Sequence, residues 1–67
     1  MKNHETLAEE LESLIDAVNL NHVLEALIEV CYGKAEHLRS NWQDAAAAKL
    51  WEKAGAVLDK ARSKIDV

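Results

Sequence analysis

The residues of this chain that are able to do chemistry are three histidines, one cysteine and twelve carboxylates among 67. Metal ligation is the first chemistry to weigh. His22, Glu25 and Glu29 follow at i, i+3 and i+7, which at 100° per residue gathers them, together with Glu36, within about 60° of one helical face. Carboxylate bundles that hold two metal ions use repeated Glu-x-x-His units pointing inward between helices. Here the order is reversed, occurs once and points away from the apolar residues of the same stretch, so it describes a solvated acidic face. No Cys/His spacing suits a structural zinc ion.

Nucleophilic catalysis fares no better. Cys31 and His37 are six residues apart, which on a helix separates them by roughly 120°. Cys31 then falls inside the apolar arc, as a small buried hydrophobe, and His37 at its margin. Ser13 and Ser63 lie on outer faces, Ser40 is a candidate helix cap, and no glycine-rich phosphate loop is present. The expectation is a non-enzymatic protein with no catalytic, cofactor-binding or metal-ligating set.

A different chemistry, attraction of an anionic partner, is offered by Lys49, Lys53, Lys60 and Lys64. They share about 60° of a helical wheel, with Trp42 near the start of the same helix. Such a stripe could follow a nucleic-acid backbone while the indole stacks on a base. It equally describes lysines whose stems cover apolar edges and whose charges meet the acidic stripe Glu25, Glu29 and Glu36. Overall acidity, a formal net charge of -4, weighs against non-specific nucleic-acid binding.

The elements that position these residues are helical. From Asn21 to Ser40, Val23, Leu24, Leu27, Ile28, Val30, Cys31, Tyr32, Ala35 and Leu38 fill an arc of roughly 200°, twice the ~100° stripe of a helix with one neighbour. This is the central helix, expected over 22–39 and buried on two sides, with Gly33 inside it either tolerated or admitting another backbone. The first helix is expected over 6–18. Thr6 to Glu9 forms a capping box, and Leu7, Leu11, Leu14, Ile15 and Val18 form a single stripe. Asn19 and Asn21 are expected to end one helix and begin the next. The last helix is expected over 42–65, capped by Ser40 or Asn41, with a stripe of Ala47, Leu50, Ala54, Val57, Leu58, Ala61 and Ile65 facing the core.

Within that helix, Ala47-Ala-Lys-Leu-Trp51-Glu-Lys-Ala54 resembles the A-x-x-x-aromatic-x-x-A signature of the second helix of a tetratricopeptide repeat. Eight residues carry the resemblance. The glycine and tyrosine of the repeat's first helix would fall at Ala35 and Leu38, and no second repeat follows. What the resemblance implies is a close antiparallel pair of the second and third helices, without membership of the family.

Length bounds the rest. Residues 1–67 are read as a single helical domain, an all-α three-helix bundle too small to build an ample core alone. With one cysteine, no disulfide can form within the chain. Self-association is the remaining way to complete the fold, as a homodimer or other homo-oligomer, or by docking on a larger protein partner. Charge supports contact between the halves. Eight acids against Lys2 and Lys34 give residues 1–36 a charge of -6, and six bases against four acids give residues 37–67 +2. The expected contact residues are the edges of the central arc, Ile28, Val30, Tyr32 and His37, with Trp42 and Trp51. No apolar run is long enough to span a membrane, the N-terminal residues lack the apolar core of a signal peptide, and a lone buried thiol suggests a cytoplasmic location.

Overall fold

The computed structural model describes residues 4–67, with side chains from Thr6 onward. Three helices follow one another, α1 (His4–Val18), α2 (Leu20–Ser40) and α3 (Ala45–Arg62). The chain is a small all-α bundle. Its boundaries depart from the sequence expectations at each end, and every departure has a local cause.

Thr6 lies within α1 rather than before it. A capping box marks where a helix can begin, but nothing in His4 or Glu5 prevents the helical conformation from extending further back. Between α1 and α2 stands a single residue, Asn19. Its side-chain Oδ1 accepts from the His22 amide at 2.8 Å, which satisfies one of the orphan donors of the first turn. The backbone of Asn19 has φ 115° and ψ 165°, a region that residues with a Cβ rarely enter. Asn21, expected to share the capping, is drawn elsewhere.

The connection from α2 to α3 is also recast. Ser40 closes α2, its hydroxyl donating to the Glu36 carbonyl at 2.6 Å. Asn41 is the C-cap, with its amide bonded to the His37 carbonyl. Trp42 and Gln43 belong to the turn, Gln43 with φ 52°, and Asp44 caps α3 by accepting from the Ala47 amide at 3.0 Å. Asp44 was legible only as the far end of an Asn41 capping box. In the structure its own carboxylate is the cap, favoured by the positive end of the helix dipole.

α2 and α3 pack antiparallel along their lengths, and their seam is lined with small residues. Ala35, Ala48 and Gly55 are buried there with Cys31, and Ala48 is 0% exposed. The Tyr32 ring lies across Gly55, so close that a Cβ on the glycine would sit 3.1–3.3 Å from three ring carbons. The expected stripe of α3 is therefore turned by roughly a quarter of the helix. Leu58 and Ile65 are half-buried, but Leu50 and Val57 stand 70% and 59% exposed. Close approach selects the smallest side chains for the seam, whereas hydrophobic size points to the larger ones.

Gly33, by contrast, has nothing within 4 Å of where its Cβ would be. It is a tolerated helix glycine. Gly33→Ala is expected to stabilise the fold by about 0.5–1 kcal/mol by removing a flexible residue from mid-helix, read as a higher urea midpoint; a lowered midpoint would contradict the open space.

α1 leans against α2 alone and, among the described residues, does not reach α3. The molecule is consequently flat, 37 × 32 × 15 Å, little thicker than one helix with its side chains.

Candidate interaction surface

Helical geometry divides this flat layer into two unlike sides. Round α2 from the seam, one direction leads to Val23, Leu27 and Val30; round α3, Leu50, Ala54, Val57 and Ala61 lie about 100–180° from Ala48 and Gly55 of the seam. Because the helices are antiparallel, both sets emerge on the same side of the hairpin. On that side α1 and α2 enclose an open apolar groove of about 230 Å3 between Leu11, Leu14 and Val18 of the one and Val23, Leu27 and Val30 of the other. Leu14, Val18 and Val30 each remain more than half exposed. All three helices thus present large apolar side chains to solvent on one side.

The other side is polar and paired. Arg62 donates to Glu25 at 3.4 Å and to Asp59 at 3.2 Å, and these groups with Ile28 and Glu29 line a second cleft of about 300 Å3. Arg39 grips Glu52 through two bonds of 2.6 and 3.2 Å. The hydrogen bond from Arg39 holds the Glu52 carboxyl below the usual carboxylate range, against a smaller opposing effect of burial, with the charges of Arg39 and Lys49 helping. Arg39 is raised in turn. A depressed folded-state pKa stabilises above the unfolded value and ceases to do so as pH falls through the folded one. Both side chains are exposed, and salt screens the pair.

The sequence-predicted contact residues separate across this layer. Ile28 belongs to the polar cleft, and Tyr32 covers Gly55 at the seam. Val30 lines the open groove. His37 lies at the outer edge of α2. There the Trp42 indole N–H donates to its Nε2 at 3.1 Å, and the Asn41 Nδ2 lies 2.9 Å from its Nδ1. Trp42 is otherwise open, 69% exposed, and Trp51 is exposed at the border of the seam. Cys31 is buried and free, far round α2 from this histidine.

Lys49, Lys53, Lys60 and Lys64 are exposed along the outer edge of α3, bordering Leu50 and Val57. None makes an ion pair with a described residue; the arginines, not the lysines, meet Glu25, Glu52 and Asp59. His22, Glu25, Glu29 and Glu36 do not converge, and among the described residues no group of three His, Cys, Asp or Glu side chains could hold a metal ion. Among the same residues no helix is long and apolar enough to cross a membrane.

Two features escape a sequence reading. Gly55 is one. The other is Asn21, whose Nδ2 donates to the carbonyls of Ile65 at 3.2 Å and Arg62 at 3.4 Å, whose Oδ1 accepts from Arg62 at 2.9 Å, and whose amide donates to the backbone oxygen of Val67 at 2.8 Å. One asparagine at the start of α2 so caps the end of α3. Its signal is the second asparagine of Asn19-Leu20-Asn21, which also suits a local cap. No family model matches the chain, and neither a curated protein nor a solved structure matches it.

Proposed function

We propose that this protein is a non-enzymatic interaction module that self-associates through the apolar side of its helical layer. The observation that carries the reading is how little of the chain's apolar surface its own fold covers. The radius of gyration is 13.8 Å, against about 11 Å for a compact chain of this length. The accessible surface is 5402 Å2, against roughly 4,200 Å2 for a compact monomer of this mass. Leu14, Val18, Leu27, Val30, Leu50 and Val57, all exposed, share one side of the layer, as in an obligate interface before assembly. The free, buried thiol of Cys31 suits a cytoplasmic setting. A nucleic-acid role for the lysine edge has the net charge of -4 against it.

Light scattering tests the proposal directly. The expected mass is about 15 kDa or a higher multiple of the chain's 7.5 kDa, falling on dilution. Val30→Glu, at an exposed position in the groove, is expected to give a single-chain mass with helix content retained. A wild-type mass of one chain at every concentration up to the millimolar range would end this reading.

A further inference from the structure

We propose that the occupant of the open side of the α2–α3 hairpin is α1 of a second copy, so that each copy lays its acidic first helix across Leu50 and Val57 of the other. This rests on the self-association reading and specifies its geometry. Three observations carry it.

The first is the corner at Asn19. A single residue joins α1 to α2, whereas helices that fold back on one another in bundles use connections of about 2–8 residues. α1 therefore leans away and cannot lie over its own α3. Its Leu7 and Leu14 and the Leu50 and Val57 of α3 are all left exposed in the same chain.

The second is charge. α1 carries five acids and no lysine or arginine. The rim beside Leu50 and Val57 holds Lys49, Lys53, Lys60 and Lys64, none in an ion pair with a described residue, while Glu25, Glu52 and Asp59 are engaged by arginine on the opposite side. An acidic amphipathic helix with a leucine stripe is the complement of that rim, and this chain supplies one.

The third is extent. A face of 37 × 32 Å is large enough for the roughly 800 Å2 per partner of a standard interface. A two-fold exchange of α1 helices uses it twice, the same contacts being made in both directions.

Carbodiimide cross-linking of refolded mixtures of 14N and 15N copies tests the arrangement, because it joins only carboxylates and amines already in contact. The expected products link Glu10 of one isotope, the acid that borders Leu7 and Leu14 on α1, to Lys53 or Lys60 of the other. Lys53→Glu with Lys60→Glu is expected to weaken association by about tenfold or more, and Glu10→Lys to restore it in part. A dimeric mass with inter-copy links that avoid α1 would overturn this geometry and leave self-association standing. Links from α1 to α3 found only within one isotope would assign the surface to the chain's own helix and overturn it too. A single-chain mass removes both the arrangement and the reading beneath it.

Discussion

Ala48→Leu destabilises the fold by about 2–3 kcal/mol, the upper part of the range for overpacking a filled site. Ala48 has no exposed surface, and it lies on the part of α3 that meets α2 most closely. Three added carbons have nowhere to go except between the helix backbones. Prising the seam apart also loosens the Tyr32 ring from Gly55 and strains the Arg39–Glu52 clasp at the same end of the hairpin. In a domain of this size, with only a few kcal/mol to lose, the midpoint of thermal unfolding falls by roughly 10–20 °C. The comparison is made at one protein concentration, since association adds to apparent stability. Leu50→Ala is the control. It removes a larger side chain from a more hydrophobic position, yet leaves the seam intact and mainly lowers association. Equal unfolding midpoints for Ala48→Leu and wild type would mean that α2 and α3 do not meet as described.

The second large effect is at Asn21. Asn21→Ala costs about 2 kcal/mol, because it strands several groups at once and an unmade bond to a charged or buried partner is expensive. The Ile65 carbonyl loses its Asn21 donor, the Arg62 carbonyl keeps only the Ile65 amide, and the Arg62 guanidinium loses its 2.9 Å acceptor. The Nε of Arg62 is already buried without a partner, and the guanidinium is left with its two exposed carboxylates, Glu25 and Asp59. Asn21→Asp divides the loss. The carboxylate still accepts from Arg62 but has no N–H for the carbonyls, so about half of the stability should return. Amide exchange locates the effect, with residues after Asp59 expected to exchange faster and the middle of α2 unchanged. Uniform exchange along both helices would contradict a role at the end of α3.

These two residues also show what a reading of the sequence reaches. Helix number, class and the two-sided character of α2 follow from periodicity, because an apolar arc must be hidden whatever its neighbour is. The rotation of α3 does not. Leu50 and Val57 outweigh Ala48 and Gly55 in any hydrophobic pattern, and only the distance between helix axes reverses the order. The same distance separates the two glycines. Gly33 breaks a strong helix pattern and meets nothing, while Gly55 sits in an alanine-rich stretch and lies directly beneath the Tyr32 ring. Asn19 and Asn21 look alike in sequence. One bonds three residues ahead and the other more than forty, and the second partner is created by the hairpin itself. Of the expected contact residues, Val30 lies in the open groove and Tyr32 is engaged by α3. Which edge of an arc a neighbour takes depends on the length of the connections, and the sequence showed the short turns without their directions.

The corner at Asn19 bears on how such a chain arises and what it is one step away from. A one-residue hinge held in an unfavourable backbone region is the geometry that invites neighbouring molecules to trade an element. Lengthen it by a few residues and α1 would face its own hairpin at a millimolar effective concentration, outcompeting any second molecule. Oligomer and closed monomer are then alternatives written by loop length, with every apolar face unchanged. Under the proposed exchange, the strain at one asparagine is the toll for keeping the helix available to a second copy.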